Sequence, residues 1–180
     1  MPRVPPITGK HDMAPADQYV VDQVMEVFGR IRGPFSILLH SPKLAELLLP
    51  LVSFNRNDSI VAPRLRLVAV LAAVREREAA YVWAAQVDAA RRAGLREEAI
   101  DLLRAKGDPA SLSDEERDIV LYARQLMRTN RADQAVFDAL QKQHGTQWLV
   151  ELTAAINFYA FLCGMVNAFE VPAPDDGDRF

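Results

Sequence analysis

The stretch PRLRLVAVLAAVREREAAYVWAAQVDAARRAGL, residues 63–95, decides the fold class. Pro63 opens it, and proline suits the first position of a helix, where its missing N–H has no partner to lose. The residues that follow are apolar on nearly every side except at Arg64 and Arg66, which predicts a central helix over 63–76. The second half, from about residue 76, predicts another helix, ended by Gly94 as the left-handed residue just past its last turn.

The same reading extends in both directions. Pro15 to about Arg30 predicts a first helix, with Asp12 or Ala14 near its cap and Tyr19, Val20, Val24, Val27 and Phe28 as its apolar stripe. Gly29, Gly33 and Pro34 then break the chain. Ser41-Pro42 predicts an N-cap followed by proline at the first helical position, with Pro50 bending or ending that helix before Phe54. A short helix is expected over about 96–105. Ser113 and Glu116 form a capping-box pair that starts the next one. A short amphipathic helix closes at Gly145, and a long, largely apolar one spans about 146–168. No segment asks for a strand. The expectation is all-α, seven or eight helices in one domain over 15–172, with a Pro-rich arm at 1–14 and a loosely held polar tail at 173–180.

Bulk properties narrow the function classes. The chain has 180 residues, half of them hydrophobic, a net charge of −3 and one cysteine, Cys163. The acidic balance argues against a nucleic-acid partner. One cysteine allows neither an intramolecular disulfide nor a cysteine metal cluster. No two histidines have metal-ligand spacing, so neither metal nor cofactor is expected. The N-terminus has no apolar core of a secretory signal, and Asn157 and Asn167 interrupt the one long apolar run, so a cytoplasmic location without a membrane span is expected. So much apolar surface on a small helical protein favours a homo-oligomer.

Four segments, in order, resemble the carboxymuconolactone decarboxylase family, which includes the AhpD-like alkylhydroperoxidases. They are GPFSILLHSPKLAELL (33–48), PRLRLVAVLAAV (63–74), AAYVWAAQVDAARRAGL (79–95) and WLVELTAAINFYAFLCGMVNAFEVP (148–172). The resemblance implies an AhpD-like helical domain and a trimeric or hexameric assembly. It also implies a pocket lined by the helix face that carries positions 79, 82 and 86. The peroxidase branch has Cys-x-x-Cys-x-x-x-His there and a glutamate nineteen residues before the histidine. This chain has Ala79, Val82 and Gln86 at those places, and Leu67 for the glutamate. A thiol peroxidase needs a thiolate and a resolving thiol, so alkylhydroperoxidase activity is not expected.

What remains is acid–base chemistry without thiols. The resemblance implies a cofactor-free lyase of aromatic catabolism, acting on a small lactone or unsaturated carboxylic acid. His40 is the first candidate for moving a proton, because imidazole exchanges protons near neutral pH, and Glu78 is the second. Gln86 can orient a carbonyl or carboxylate but cannot exchange protons. Tyr81 and Trp83 are candidate pocket walls. Arg56 or Arg64 is the candidate clamp for a substrate carboxylate. The alternative is a non-catalytic relative that keeps the scaffold and binds a ligand or partner.

Overall fold

The computed structural model describes residues 2–180. Among them there are nine α-helices and no strand. The chain divides into two compact units, Met1–Ser59 with Met165–Pro172, and Ile60–Gly164 with Ala173–Phe180.

The first unit begins with the N-terminal arm, which is tied down by backbone bonds. Arg3 N donates to Phe169 O at 2.9 Å, and Ile7, which is buried, donates from its N to Ser36 O at 2.8 Å. A single 3-10 turn, Pro15–Asp17, leads into α1 (Gln18–Phe28), which buries Val20, Val21 and Val24. Gly29 ends it at φ +69°, a left-handed conformation that costs glycine nothing. α2 (Pro34–Leu38) was not anticipated as a helix; it is a buried five-residue turn. α3 (Pro42–Ser53) packs on α1. Ser41 does sit at its N-cap, but its hydroxyl makes no cap bond. Pro50 does not stop α3. It sits on the exposed side while Ala45, Leu49 and Val52 hold the other face inside, so only one ladder bond is forfeited. The helix then loosens into a π-turn, Phe54–Asp58, with Ser59 N bonded five residues back to Phe54 O.

The second unit is built around α4 (Pro63–Glu76), whose residues Leu65 to Val74 are all buried. α5 (Ala80–Arg92), α6 (Glu97–Arg104) and α7 (Asp114–Thr129) pack against it. α5 ends as the sequence predicts. Gly94 N donates to Arg91 O and Leu95 N to Ala90 O, the paired closure of a glycine-terminated helix. The capping box of α7 is also present, with Ser113 Oγ accepting from Glu116 N and Glu116 Oε2 accepting from Ser113 N. α8 (Gln134–His144) and α9 (Thr146–Ala168) complete the helices. α9 is long and apolar enough to cross a membrane by length and composition, and half of its apolar window is buried inside the protein.

The tail is not loosely held. Asp178 accepts from Trp83 Nε1 at 3.0 Å, from Arg104 Nη2 at 2.9 Å and from Arg91 Nη2 at 2.9 Å. Phe180 sets its ring edge-on to Trp83 at 5.7 Å and lies under the Arg75 guanidinium at 4.1 Å. Gly177 permits this approach, since a Cβ there would come within 2.9 Å of Ala84 Cβ. Composition suggested a solvated end; specific pairing over long sequence distances fixes it instead.

Candidate functional site

The helix face singled out by the sequence begins where α4 turns into α5. Glu78 takes a left-handed conformation at that corner, φ +53°, and Ala79 caps α5. Ala79 is fully buried, Val82 is 3% exposed and Leu67 on α4 is 6% exposed. These three positions add packing and no reactive atom. Gln86, one turn further along α5, is half-buried. Its amide is the polar group this face offers, and it can orient a ligand without exchanging a proton.

Glu78 is spoken for. Its Oε1 accepts from Lys106 Nζ at 2.6 Å and from Arg75 Nη1 at 2.8 Å, and these two bonds hold its carboxyl below the usual range. A carboxylate so held is a weaker base than a free one. Arg64 is spoken for as well. It pairs with Glu116, which is 2% exposed and also accepts from Arg96 Nη2 at 3.2 Å. Burial pushes Glu116 up, but its bonds to Ser113 and the charges of Arg64 and Arg96 bring it below its ordinary value. In the sequence Glu116 is marked only as the capping-box partner of Ser113. Its role as the anchor of two arginines, 52 and 20 residues away, left no local signal.

Tyr81 and Trp83 are buried, as pocket walls or core aromatics would be. Trp83 gives its only N–H to Asp178. Burial raises Asp178, and its bonds to Trp83, Arg104 and Arg91 more than reverse that, so it stays ionised beside them. Cys163 is fully buried and desolvation pushes its thiol up to about 12. At neutral pH it is neither a nucleophile nor a peroxide-reactive thiolate.

In the first unit the arrangement differs. His40 lies in the short turn between α2 and α3. Its Nε2 is 2.8 Å from Pro5 O. A carbonyl oxygen can only accept, so Nε2 carries the hydrogen and Nδ1 is left as the basic nitrogen. The imidazole lines a half-open cavity of about 310 Å³ with Val4, Ile37, Leu38, Leu44 and Phe169. Arg56 stands elsewhere in that unit, on the π-turn. Its guanidinium covers the Phe28 ring at 4.5 Å and donates to Val27 O at 3.3 Å.

No protein-family model matches the chain, and no curated protein does. Solved structures do match. One is the alkylhydroperoxidase AhpD core of an uncharacterized peroxidase-related protein from Ralstonia eutropha JMP134, with 16% identity and a TM-score of 0.79 over 97% of this chain and 93% of that one. Another is a cysteine-to-alanine variant of the debrominase Bmp8 in complex with 2,3,4-tribromopyrrole, with 17% identity and a TM-score of 0.74 over 97% and 95% of the two chains. The apo form of Bmp8 matches with 18% identity and a TM-score of 0.71 over 94% and 92%. The chain therefore has the AhpD-like fold, as the motif resemblance implied.

Proposed function

We propose that this chain is a cofactor-free acid–base enzyme, lyase-like, acting on a small lactone or unsaturated carboxylic acid, with His40 as the group that moves the proton. The observation that carries the reading is the His40 geometry. One ring nitrogen is fixed on Pro5 O, the other is left basic, and the ring borders an apolar cavity of about 310 Å³. A histidine oriented through one nitrogen and free at the other is the arrangement general acid–base catalysis requires. In a decarboxylation, imidazolium at His40 returns a proton to the carbon from which carbon dioxide leaves. The bound tribromopyrrole in Bmp8 supports a small ring compound as ligand, since that protein shares the fold. The proposal drops Glu78 and Arg64 from the chemistry because both are committed to ion pairs.

A second reading, a non-catalytic ligand-binding relative, is favoured by a separate observation. Positions 67, 79, 82 and 86 together hold no ionisable group, and two of the three charged candidates nearest them in sequence are paired.

The test is proton NMR of small lactone acids and unsaturated carboxylic acids incubated with the pure protein, metal and cofactor omitted. Product signals that vanish in His40→Ala support the lyase reading. Line broadening without product supports the second. Turnover that survives His40→Ala removes His40 from the mechanism.

A further inference from the structure

The C-terminal end of the chain fills a seat that is built without it. Asp178 and Phe180 rest on one indole and on arginines that each have a second anchor in the helices. Arg91 of α5 is held by Glu97, Nε to Oε1 at 2.7 Å and Nη2 to Oε2 at 3.0 Å. Arg104 of α6 pairs with Asp101 one turn back. Arg75 of α4 donates from Nε to Arg104 O at 2.7 Å and from Nη1 to Glu78 Oε1 at 2.8 Å. These bonds keep the guanidiniums in place when the tail lifts. Trp83 is fully buried and gives its single N–H to Asp178, so a lifted tail leaves that donor aimed at a vacated carboxylate position.

The seat has two halves. In the first, Trp83 Nε1, Arg104 Nη2 and Arg91 Nη2 stand 3.0, 2.9 and 2.9 Å from the Asp178 oxygens. Charge-assisted donors of this kind recognise a carboxylate whatever carries it. In the second, the Phe180 ring has the Arg75 guanidinium 4.1 Å from its centre and the Trp83 ring at 5.7 Å and 85°. A cation over the face and a second ring set edge-on both favour an aromatic occupant. The two halves meet on the same indole, so one small molecule with a short spacer reaches both.

We propose that this seat is a binding site for arylalkanoate anions, a carboxylate joined to an aromatic ring by a short saturated chain, and that the Asp178–Phe180 end is its resident stand-in. The free anion takes the carboxylate position of Asp178 and the ring position of Phe180, and the tail gives way. Donors already fixed by Glu97, Asp101 and Glu78 lower the cost of binding, since few side chains have to be ordered. The tail competes as a tethered ligand, with an effective concentration in the millimolar range. A dilute anion therefore binds poorly to the intact chain and well to one whose end has been removed. Gly177 N and Arg179 Nη2 bond back to Pro174 O inside the tail, so these bonds are not lost when the end lifts. None of the seat's residues lines the His40 cavity, and the inference stands apart from the lyase reading.

Isothermal titration calorimetry with hydrocinnamate tests this, on the full chain and on one ending at Gly177. The shortened chain should keep its helical circular dichroism spectrum and bind a single anion. The full chain should bind at least about tenfold more weakly, because its tethered end competes. In the shortened chain the ligand should move the Trp83 indole N–H signal in a nitrogen–proton NMR spectrum and leave that of Trp148 still. Arg104→Gln in the shortened chain should weaken binding by about tenfold, the loss of a hydrogen bond to a charged group. Hydrocinnamamide, the uncharged analogue, should not bind. If the shortened chain loses its helical spectrum, the full-length Asp178→Ser, Phe180→Ala double variant takes its place. No saturable binding by the vacated chain overturns the proposal. So does equal binding by the vacated and full chains, or binding that Arg104→Gln leaves unchanged. A vacated chain that binds an acetylated Asp-Arg-Phe peptide and not hydrocinnamate also overturns it and gives the seat to a peptide end.

Discussion

The α4–α5 corner and the α2–α3 turn both carry residues able to move protons, and they differ in what the chain has done with them. At the corner, Glu78 is held by Lys106 and Arg75, and the Trp83 N–H is held by Asp178. At the turn, His40 is held through one nitrogen only. Residue type says what a side chain is able to do. Its partners say whether that capacity is still available.

The sharpest way to break this contrast is His40→Ala. It should lower turnover of any substrate found by about 10²-fold or more, the contribution of a positioned general acid–base, and leave stability nearly unchanged. Steady-state kinetics with a urea titration reads both.

Next in size is Glu116→Ala, which removes the α7 cap and leaves Arg64 and Arg96 without their buried partner. Both arginines are partly exposed, so the loss should be about 2 kcal/mol rather than the larger cost of a fully buried pair. Urea unfolding at neutral pH measures it.

Asp178→Asn should cost about 1–2 kcal/mol, since it weakens charge-assisted bonds to three donors. The sign of the pH effect follows from the lowered carboxyl. Its stabilisation is complete above the ordinary 3.8 and disappears as pH falls through the lower folded value. Glu116, also lowered from an ordinary 4.5, acts in the same direction. Acid unfolding followed by tryptophan emission should therefore lose part of its steepness below about pH 4 in Asp178→Asn.

The smallest effect is expected from Glu78→Gln. Its side chain is 60% exposed, so stability should change by no more than about 0.5 kcal/mol, and turnover should not change. A large kinetic effect there would return the chemistry to the corner.

Local signals carried most of the fold. Gly94, the Ser113–Glu116 box and the apolar run of α4 each act within one or two turns, and the structure has them where the sequence places them. What local signals could not carry was long-range pairing. Arg64 finds Glu116 52 residues away, and Trp83 finds Asp178 95 residues away. The same limit governed the site. His40 stood out by residue type, but the carbonyl that orients it belongs to the arm, 35 residues earlier. Pro50 shows the converse. A strong local breaker was overruled by burial of the opposite face of its helix.

Trp83 and Trp148 are the two indoles of the chain, and their surroundings differ. One has its N–H on a carboxylate and a benzene ring at its edge. The other lies face to face with the His144 imidazole, ring centres 3.8 Å apart. In optical terms the molecule carries two independent reporters. The Trp83 band should shift when the tail lifts away, and the Trp148 band when α8 parts from α9 and the imidazole leaves its face. Emission scans against denaturant thus follow the C-terminus and the α8–α9 junction with no label added.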